Sequence, residues 1–456
     1  MRNSFTCSHK ENHHQRLIRV DPPILHFFYV KDQPFVFNSQ SLEIRAVRPD
    51  NQSSDFNSGL LNKEETTNQE SATENSNNQK NSSTKKPYEP EKPHLTERVE
   101  ILVNATQKCN LNCSYCFVDK GKFSYDNNRI QSLSPKTAKR LIETLPNRLP
   151  WAKHFCIHFY GGEPLLNLPA INEAVQTALP KGDLFSFAIT TNGTIATKKA
   201  IATLKKGRFN VILSIDGPEH IHDTYRRTKR GTPTHAKVLK FLEKVGSEKL
   251  FVRGSSVVRK GWSLKEAHSY LTTLPVDAIK AQAVRLAPSN PIALSGEERN
   301  DYFDHLKQIG KETIESIHQD RYPKDDRFNN RVLQLLCNTK RESFCGAGTR
   351  TFGMSSDGTM LPCVLLAGKK DVSLGNINDD GTWVKQGLLW ASKHKPRKEC
   401  KECWALPLCG GGCPAMLSVC GEDECELVRA NCEIALGIYG SFLGKPQDLL
   451  VLSGAL

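Results

Sequence analysis

The chain has 456 residues, yet no apolar run is long enough to cross a membrane, and its first thirty residues hold no apolar signal-peptide core. A cytoplasmic location is expected, without a membrane partner. No internal repeat is evident. Large apolar side chains are nearly missing from residues 50–91, a stretch rich in Asn, Ser, Gln, Thr, Glu and Lys. Such a segment cannot bury enough surface to offset the entropy of ordering it, so a disordered linker is expected. Dense basic tracts are lacking as well. The net charge of +13 comes from 62 basic and 49 acidic residues that are dispersed, with mild clusters at 226–230 and 393–401 read as solvated faces, and no nucleic-acid partner is inferred. His9, His13 and His14 lie in a terminus expected to fray and are assigned no metal role.

Cysteine is what the chain has in quantity. Fifteen cysteines in a reducing compartment argue for metal ligation over disulfides. Three of them stand in Cys109-Asn-Leu-Asn-Cys113-Ser-Tyr-Cys116. The C-x3-C-x2-C spacing supplies three thiolates to a four-iron cluster and leaves one iron free to bind a small molecule. A closed zinc site wants four ligands, so a zinc knuckle completed by a distant fourth ligand is the alternative.

Residues 98–106 alternate apolar and polar side chains as a strand does, and the cysteines follow in the loop at its end. Three further segments, Phe159-Tyr160-Gly161-Gly162-Glu163-Pro164, Ile189-Thr190-Thr191-Asn192-Gly193-Thr194 and Leu213-Ser214-Ile215-Asp216-Gly217-Pro218, each close an apolar run with glycine and a polar group. In this order the motifs closely resemble the radical S-adenosylmethionine (SAM) enzymes, in which the cysteine triplet follows the first strand of a partial (β/α)6 barrel. The resemblance implies that Cys109, Cys113 and Cys116 hold a SAM-binding [4Fe-4S] cluster. It also implies that the Gly161-Gly162-Glu163 segment meets the amino group of SAM, that Asn192 and Ser214 face its ribose or methionine part, and that the backbone of Tyr115 lies near the adenine. Taken singly, a glycine pair is a turn and a Ser or Asn at a strand end is a cap.

A second cysteine-rich region, Cys400-Lys-Glu-Cys403-Trp-Ala-Leu-Pro-Leu-Cys409-Gly-Gly-Gly-Cys413, is preceded by Cys345 and by Gly358-x4-Cys363 and followed by Cys432. It resembles the SPASM extension of peptide- and protein-modifying radical SAM enzymes, which carries two auxiliary four-iron clusters. That resemblance implies one cluster on Cys400, Cys403, Cys409 and Cys432 and another on Cys345, Cys363 and Cys413, with Cys337 as possible fourth ligand or an open iron in its place. Three [4Fe-4S] clusters and SAM are thus the expected cofactors. A zinc ribbon at 400–413 is the alternative. Cys156 is expected in the core, and Cys420 or Cys425 could substitute for Cys432.

Strand-like runs alternate with helical patterns six times between 99 and 286, as right-handed βα units require. The expected fold is α/β: a partial (β/α)6 TIM-type barrel at 92–325, a small cysteine-rich SPASM domain at 326–445 and a tail at 446–456. Residues 351–366 read as a hairpin turning at Asp357-Gly358. The 1–49 region precedes these, with a β-hairpin near 24–37 followed by a further short apolar-spaced stretch of helical pattern. It is either a reduced peptide-recognition element or a hairpin packed on the barrel. The expected activity is oxidative maturation of a ribosomally made peptide by a thioether or carbon–carbon crosslink, with a precursor peptide and an electron donor such as flavodoxin or ferredoxin as partners. A sulfatase-maturing enzyme making formylglycine is the alternative. In that family an aspartate follows the cysteine of G-x4-C, whereas Val364 stands here.

Overall fold

A computed structural model describes residues 25–30, 33–47, 97–116, 131–369 and 371–453. The expected linker at 50–91, Cys7 and the N-terminal histidines lie outside the described residues.

The first element is a small antiparallel sheet. β1 (Leu25–Val30) and β2 (Gln33–Asn38) form the expected hairpin, and β3 (Ile44–Ala46) adds to β2. The stretch after β2 is thus a third strand and not the helix its apolar spacing suggested. The reason is local: Asn38 Oδ1 accepts the N–H groups of Gln40 and Ser41, and Leu42 N–H donates to the Asn38 carbonyl, which turns the chain back at once.

Six strands then follow in parallel succession: β4 (Arg98–Thr106), β5 (His154–Gly161), β6 (Phe185–Thr191), β7 (Asn210–Ser214), β8 (Val252–Val258) and β9 (Ala278–Ala283). Between them run α1 (Pro135–Arg148), α2 (Leu168–Ala178), α3 (Lys198–Lys206), α4 (Glu219–Tyr225), α5 (His235–Ser247) and α6 (Leu264–Thr273). Helix starts follow ordinary capping chemistry. Ser134 Oγ accepts from Thr137 N–H ahead of α1, and Ser263 with Glu266 makes a reciprocal capping box at α6. One face of the sheet packs on these helices: Val99, Ile101, Val103 and Ala105 of β4 are wholly buried there with Leu141, Ile142 and Leu145 of α1. The alternate residues Glu100 and Leu102 stay partly exposed on the other face.

Helices α7 (Gly296–His318) and α8 (Asn329–Leu336) lead into the expected hairpin, β10 (Thr351–Met354) and β11 (Thr359–Leu361), and then to β12 (Gly375–Asn376). β10 pairs parallel with β4, so the strands form one nine-stranded sheet in the order β12-β11-β10-β4-β5-β6-β7-β8-β9. The cysteine-rich region is thereby hydrogen-bonded onto the barrel's edge. It continues through α9 (Thr382–Lys393), α10 (Leu406–Cys409), α11 (Pro414–Cys420) and α12 (Glu422–Gly440). Among the described residues, no helix is long and apolar enough to cross a membrane.

A second core lies apart from the barrel's. Phe28, Phe35, Phe37, Leu42 and Ile44 of the N-terminal sheet pack on Leu335, Leu408, Val428, Cys432 and Leu436, and the His26 ring stacks 3.7 Å from that of Trp404. The hairpin therefore packs on the cysteine-rich region and not on the barrel. Phe37→Ala, which opens a cavity in this core, is expected to cost about 3 kcal/mol or more. Urea unfolding of the purified chain checks this, and an unchanged midpoint would show that the N-terminal sheet is only loosely attached.

Candidate functional site

The carboxyl ends of β4 to β7 come together around the loop that carries Cys109, Cys113 and Cys116, as the parallel order of the strands dictates. Each motif end ties to a different point of that loop. Gly162 N–H donates to the Thr106 carbonyl and Glu163 N–H to the Lys108 carbonyl, each at 2.8 Å. A Cβ on Gly162 would sit 2.3 Å from the Lys108 carbonyl oxygen, so the glycine is required for the approach of the cysteine loop itself.

Glu163 is turned inward. Its Oε1 accepts from Leu165 N–H and Thr191 Oγ1 at 3.1 and 2.7 Å, and its Oε2 from Asn192 N–H at 2.7 Å. Burial pushes its carboxyl up, and these donors pull it back. The carboxylate thus joins the end of β5 to that of β6. Asn192 Nδ2 donates to Asn110 Oδ1 at 2.9 Å, Asn110 Nδ2 donates to Thr194 Oγ1 at 2.8 Å, and Thr194 donates back to Asn192 Oδ1, which closes a ring of amides over the first turn of the loop. Ser214 ends β7, opposite Ser255 of β8, half-buried.

The other side of the loop rests on charge. Tyr115 is buried; its hydroxyl donates to Asp216 Oδ2 at 2.5 Å and accepts from Arg226 Nη1 at 2.5 Å. Arg259 Nη1 lies 3.3 Å from Asp216 Oδ2, with its guanidinium 3.9 Å from the centre of the Tyr225 ring. His222 Nδ1 accepts from Asp216 N–H at 3.4 Å, and its pKa is driven to about 2 by burial and then by Arg226, His235 and Arg259, so it remains neutral. Arg226 belongs to the basic run read from sequence as a solvated face. The structure corrects that reading, since Arg226 is only 8% exposed. The signal that could have found it is the spacing His222-x3-Arg226, which puts both side chains on one face of a helical segment after Asp216-Gly217.

The three thiols of the loop are near neighbours. Burial raises the Cys109 pKa to about 11, and the charges of Glu163, Cys113 and Cys116 add to the rise. Thiols crowded in this way ionise together only when a cation shares their charge, which is the donor chemistry an iron-sulfur cluster needs. A second set joins Cys345, Cys363 and Cys413. Burial first, and then the neighbouring Cys345 and Cys413, take Cys363 to about 12. In a third set Cys432 is wholly buried and feels Cys403, while burial and Cys432 push Cys409 to about 11. Cys400 faces Cys425, whose sulfur accepts from Arg397 Nη2 at 3.0 Å.

Gly410, Gly411 and Gly412 all take left-handed backbone (φ 72, 94 and 81°), and a Cβ on Gly410 would sit 2.4 Å from the Ser343 carbonyl carbon. That tight passage brings the 409–413 turn against the 343–345 segment. Cys337 caps the end of α8, and Cys420 points its sulfur at the Leu286 carbonyl 3.6 Å away. Cys156 is buried in β5. Taken three or more at a time, no His, Cys, Asp or Glu side chains among the described residues close tightly enough for a single metal ion.

Residues 103–274 match the model of the radical SAM superfamily. The chain carries a radical SAM domain. It is 28% identical over 347 residues to a cysteine-type anaerobic sulfatase-maturating enzyme of Clostridium perfringens, covering 71% of this chain and 90% of that one. Among solved structures it resembles native anSMEcpe with bound AdoMet (TM-score 0.64, 20% identity, 76% of this chain and 99% of that chain). It also resembles Streptococcus suis SuiB bound to the precursor peptide SuiA (TM-score 0.52, 16% identity, 87% and 95%). At these identities the structural likeness carries the fold alone.

Sequence reasoning about the radical SAM domain missed Asn110, Asp216, Arg226 and Arg259, and also Glu100 and His158. The last two lie on the partly exposed face of β4 and β5, where His158 Nδ1 is 3.3 Å from Glu100 Oε1 and Nε2 is 2.9 Å from Thr190 Oγ1. Truncating Glu163 to Ala orphans three buried donors and is expected to cost about 2–3 kcal/mol. Urea unfolding of the metal-free protein measures this directly, and wild-type stability would mean that the carboxylate is not what joins β5 to β6.

Proposed function

We propose that the chain is a radical SAM maturase of a ribosomally made peptide, forming a thioether or carbon–carbon side-chain crosslink. Cys109, Cys113 and Cys116 would hold the SAM-binding cluster. Cys345, Cys363 and Cys413, with Cys337 as possible fourth ligand, would hold one auxiliary cluster, and Cys400, Cys403, Cys409 and Cys432 the other, in a SPASM-type extension. The observation that carries this is the gathering of thiols into three sets, one at the mouth of the barrel and two in the region hydrogen-bonded to its edge. Bound there, SAM and its cluster would supply a 5′-deoxyadenosyl radical for hydrogen abstraction.

The protein's own side chains do the rest. Gly162, Glu163, Asn192 and Ser214 lie at strand ends around the loop, where SAM would be oriented. His158, held between Glu100 and Thr190, is the group on the sheet's open face suited to take a proton released from substrate. Tyr160, two residues on, is near both Cys116 and Cys363, residues assigned here to two different clusters.

Formylglycine formation is the second reading, favoured by the sulfatase-maturating relatives. Against it, Val364 is wholly buried with Leu361 and Ala367, which leaves an apolar contact where those enzymes carry an aspartate.

Anaerobic reconstitution is expected to give about twelve irons per chain, from three four-iron clusters, and 5′-deoxyadenosine from SAM under reduction. A cysteine-containing peptide encoded beside this chain is expected to lose two hydrogens, by mass, with wild type and not with Cys113→Ala. Zinc alone, or no SAM cleavage, would remove the enzymatic reading; an aldehyde on a sulfatase-motif cysteine would replace the crosslink with formylglycine.

A further inference from the structure

Two straps hold the loop 109–116 to the segment after α4. The first is backbone: Asn112 N–H donates to the Arg227 carbonyl at 2.9 Å, and Leu111 bridges Thr228. The second is the Tyr115 hydroxyl, clasped between Asp216 and Arg226 at 2.5 Å on each side. Around this clasp the charges do not cancel. Asp216 (0% exposed) is one negative charge, whereas Arg226 (8%) and Arg259 (1%) are two positive ones, so one buried positive charge is left over. Neither Arg226 Nε nor Arg259 Nε has a hydrogen-bond partner in its buried setting. An uncompensated charge out of water is costly unless an anion stands beside it. Tyr115 separates Cys113 from Cys116 by its place in the chain, so the guanidinium that holds its hydroxyl stands beside the cysteine loop, within reach of the Cys113 thiol. The positive charge of Arg226 is thus directed at the cysteine loop, where the Glu163 carboxylate and the Cys113 sulfur are the acidic groups it meets.

We propose that Arg226 is a positioning residue with two separable effects: through Tyr115 it fixes the C-x3-C-x2-C loop, and through its charge it sets the field in which the thiolates of that loop sit. This rests on the assignment of Cys109, Cys113 and Cys116 as ligands of the SAM-binding cluster. Cluster potentials follow the net charge around the sulfurs, so a positive charge held here raises the potential at which the cluster accepts its electron. Arg259 and Asp216 serve it indirectly. Asp216 orients the guanidinium of Arg226 and the hydroxyl of Tyr115 together, and its own backbone is held by Ser256 Oγ donating to its carbonyl at 2.6 Å.

Three variants separate the effects, studied in the anaerobically reconstituted full chain. The SAM-binding cluster is identified as the paramagnetic signal that changes when SAM is added. Arg226→Gln is expected to shift the midpoint potential of that signal to more negative values and to release iron to a chelator about tenfold faster, as loss of an outer-sphere partner does. Arg226→Lys keeps the charge and is expected to restore the potential. Tyr115→Phe keeps the charge but cuts the strap, so iron release should quicken while the potential stays in place.

A wild-type potential and wild-type iron release in Arg226→Gln would overturn the proposal. So would equal potential shifts in all three variants, which would mark a structural effect alone. If the wild type itself shows no SAM-responsive signal, the ligand assignment is what fails. Should Arg226→Gln not fold, Arg259→Gln removes the other positive charge beside Asp216 without cutting the Tyr115 strap, and an unchanged potential in that variant would overturn the charge effect.

Discussion

Everything at the mouth of this barrel depends on one constraint: a short loop with three cysteines is held by groups from the ends of four parallel strands and the segment that follows them. Parallel order makes this possible, because β4 to β7 all finish on the same side of the sheet. The anchors are then chemically distinct. The end of β5 supplies backbone donors to the stem of the loop, Asn192 after β6 supplies an amide to Asn110, and Asp216 after β7 supplies a carboxylate to Tyr115. Glu163 links two of these anchors by accepting from both β6 and its own turn. Such a loop has little freedom left, so its three thiols are held in a defined arrangement.

The cysteine-rich region reaches the same centre by another route. Its first strand, β10, extends the barrel's own sheet beside β4, so the region cannot shift without breaking a hydrogen-bonded ladder. Glu100, on β4, feels the field of His158, and the thiols of Cys345 and Cys363 feel Glu100 in turn. The face of the sheet that the helices leave open is thus bordered by the thiols of the cysteine-rich region. On the far side, the N-terminal sheet closes the third set of cysteines with a layer of phenylalanines, an apolar cover that excludes water around Cys432.

Much of this was legible residue by residue. The alternation in 98–106, 154–160 and 185–191 reads as strands, and strands form there, because β-branched and aromatic side chains at period two have nowhere else to bury one face. The cysteine spacings named the loop. What was not legible depended on partners far apart in sequence. The stretch after Asn38 has apolar spacing short enough to suit a helix or a strand, and the Asn38 turn with its pairing to β2 chose the strand. Arg226 looks like any residue of an exposed basic run until Tyr115, more than a hundred residues earlier, is seen to clasp it.

By itself the sequence determined which groups exist and in what local geometry: three thiols on one loop, glycines where backbone must pass close, strands and helices in alternation. Those properties follow from covalent spacing and from backbone preferences that act over a few residues. Only the tertiary structure decided which of the fifteen cysteines share a pocket, that the C-terminal hairpin would join the barrel's edge, and that two arginines would face one aspartate beneath the cysteine loop. Burial and long-range pairing are cooperative, and the charge left over beneath that loop becomes visible only when the residues that follow β7, α4 and β8 are brought to one place.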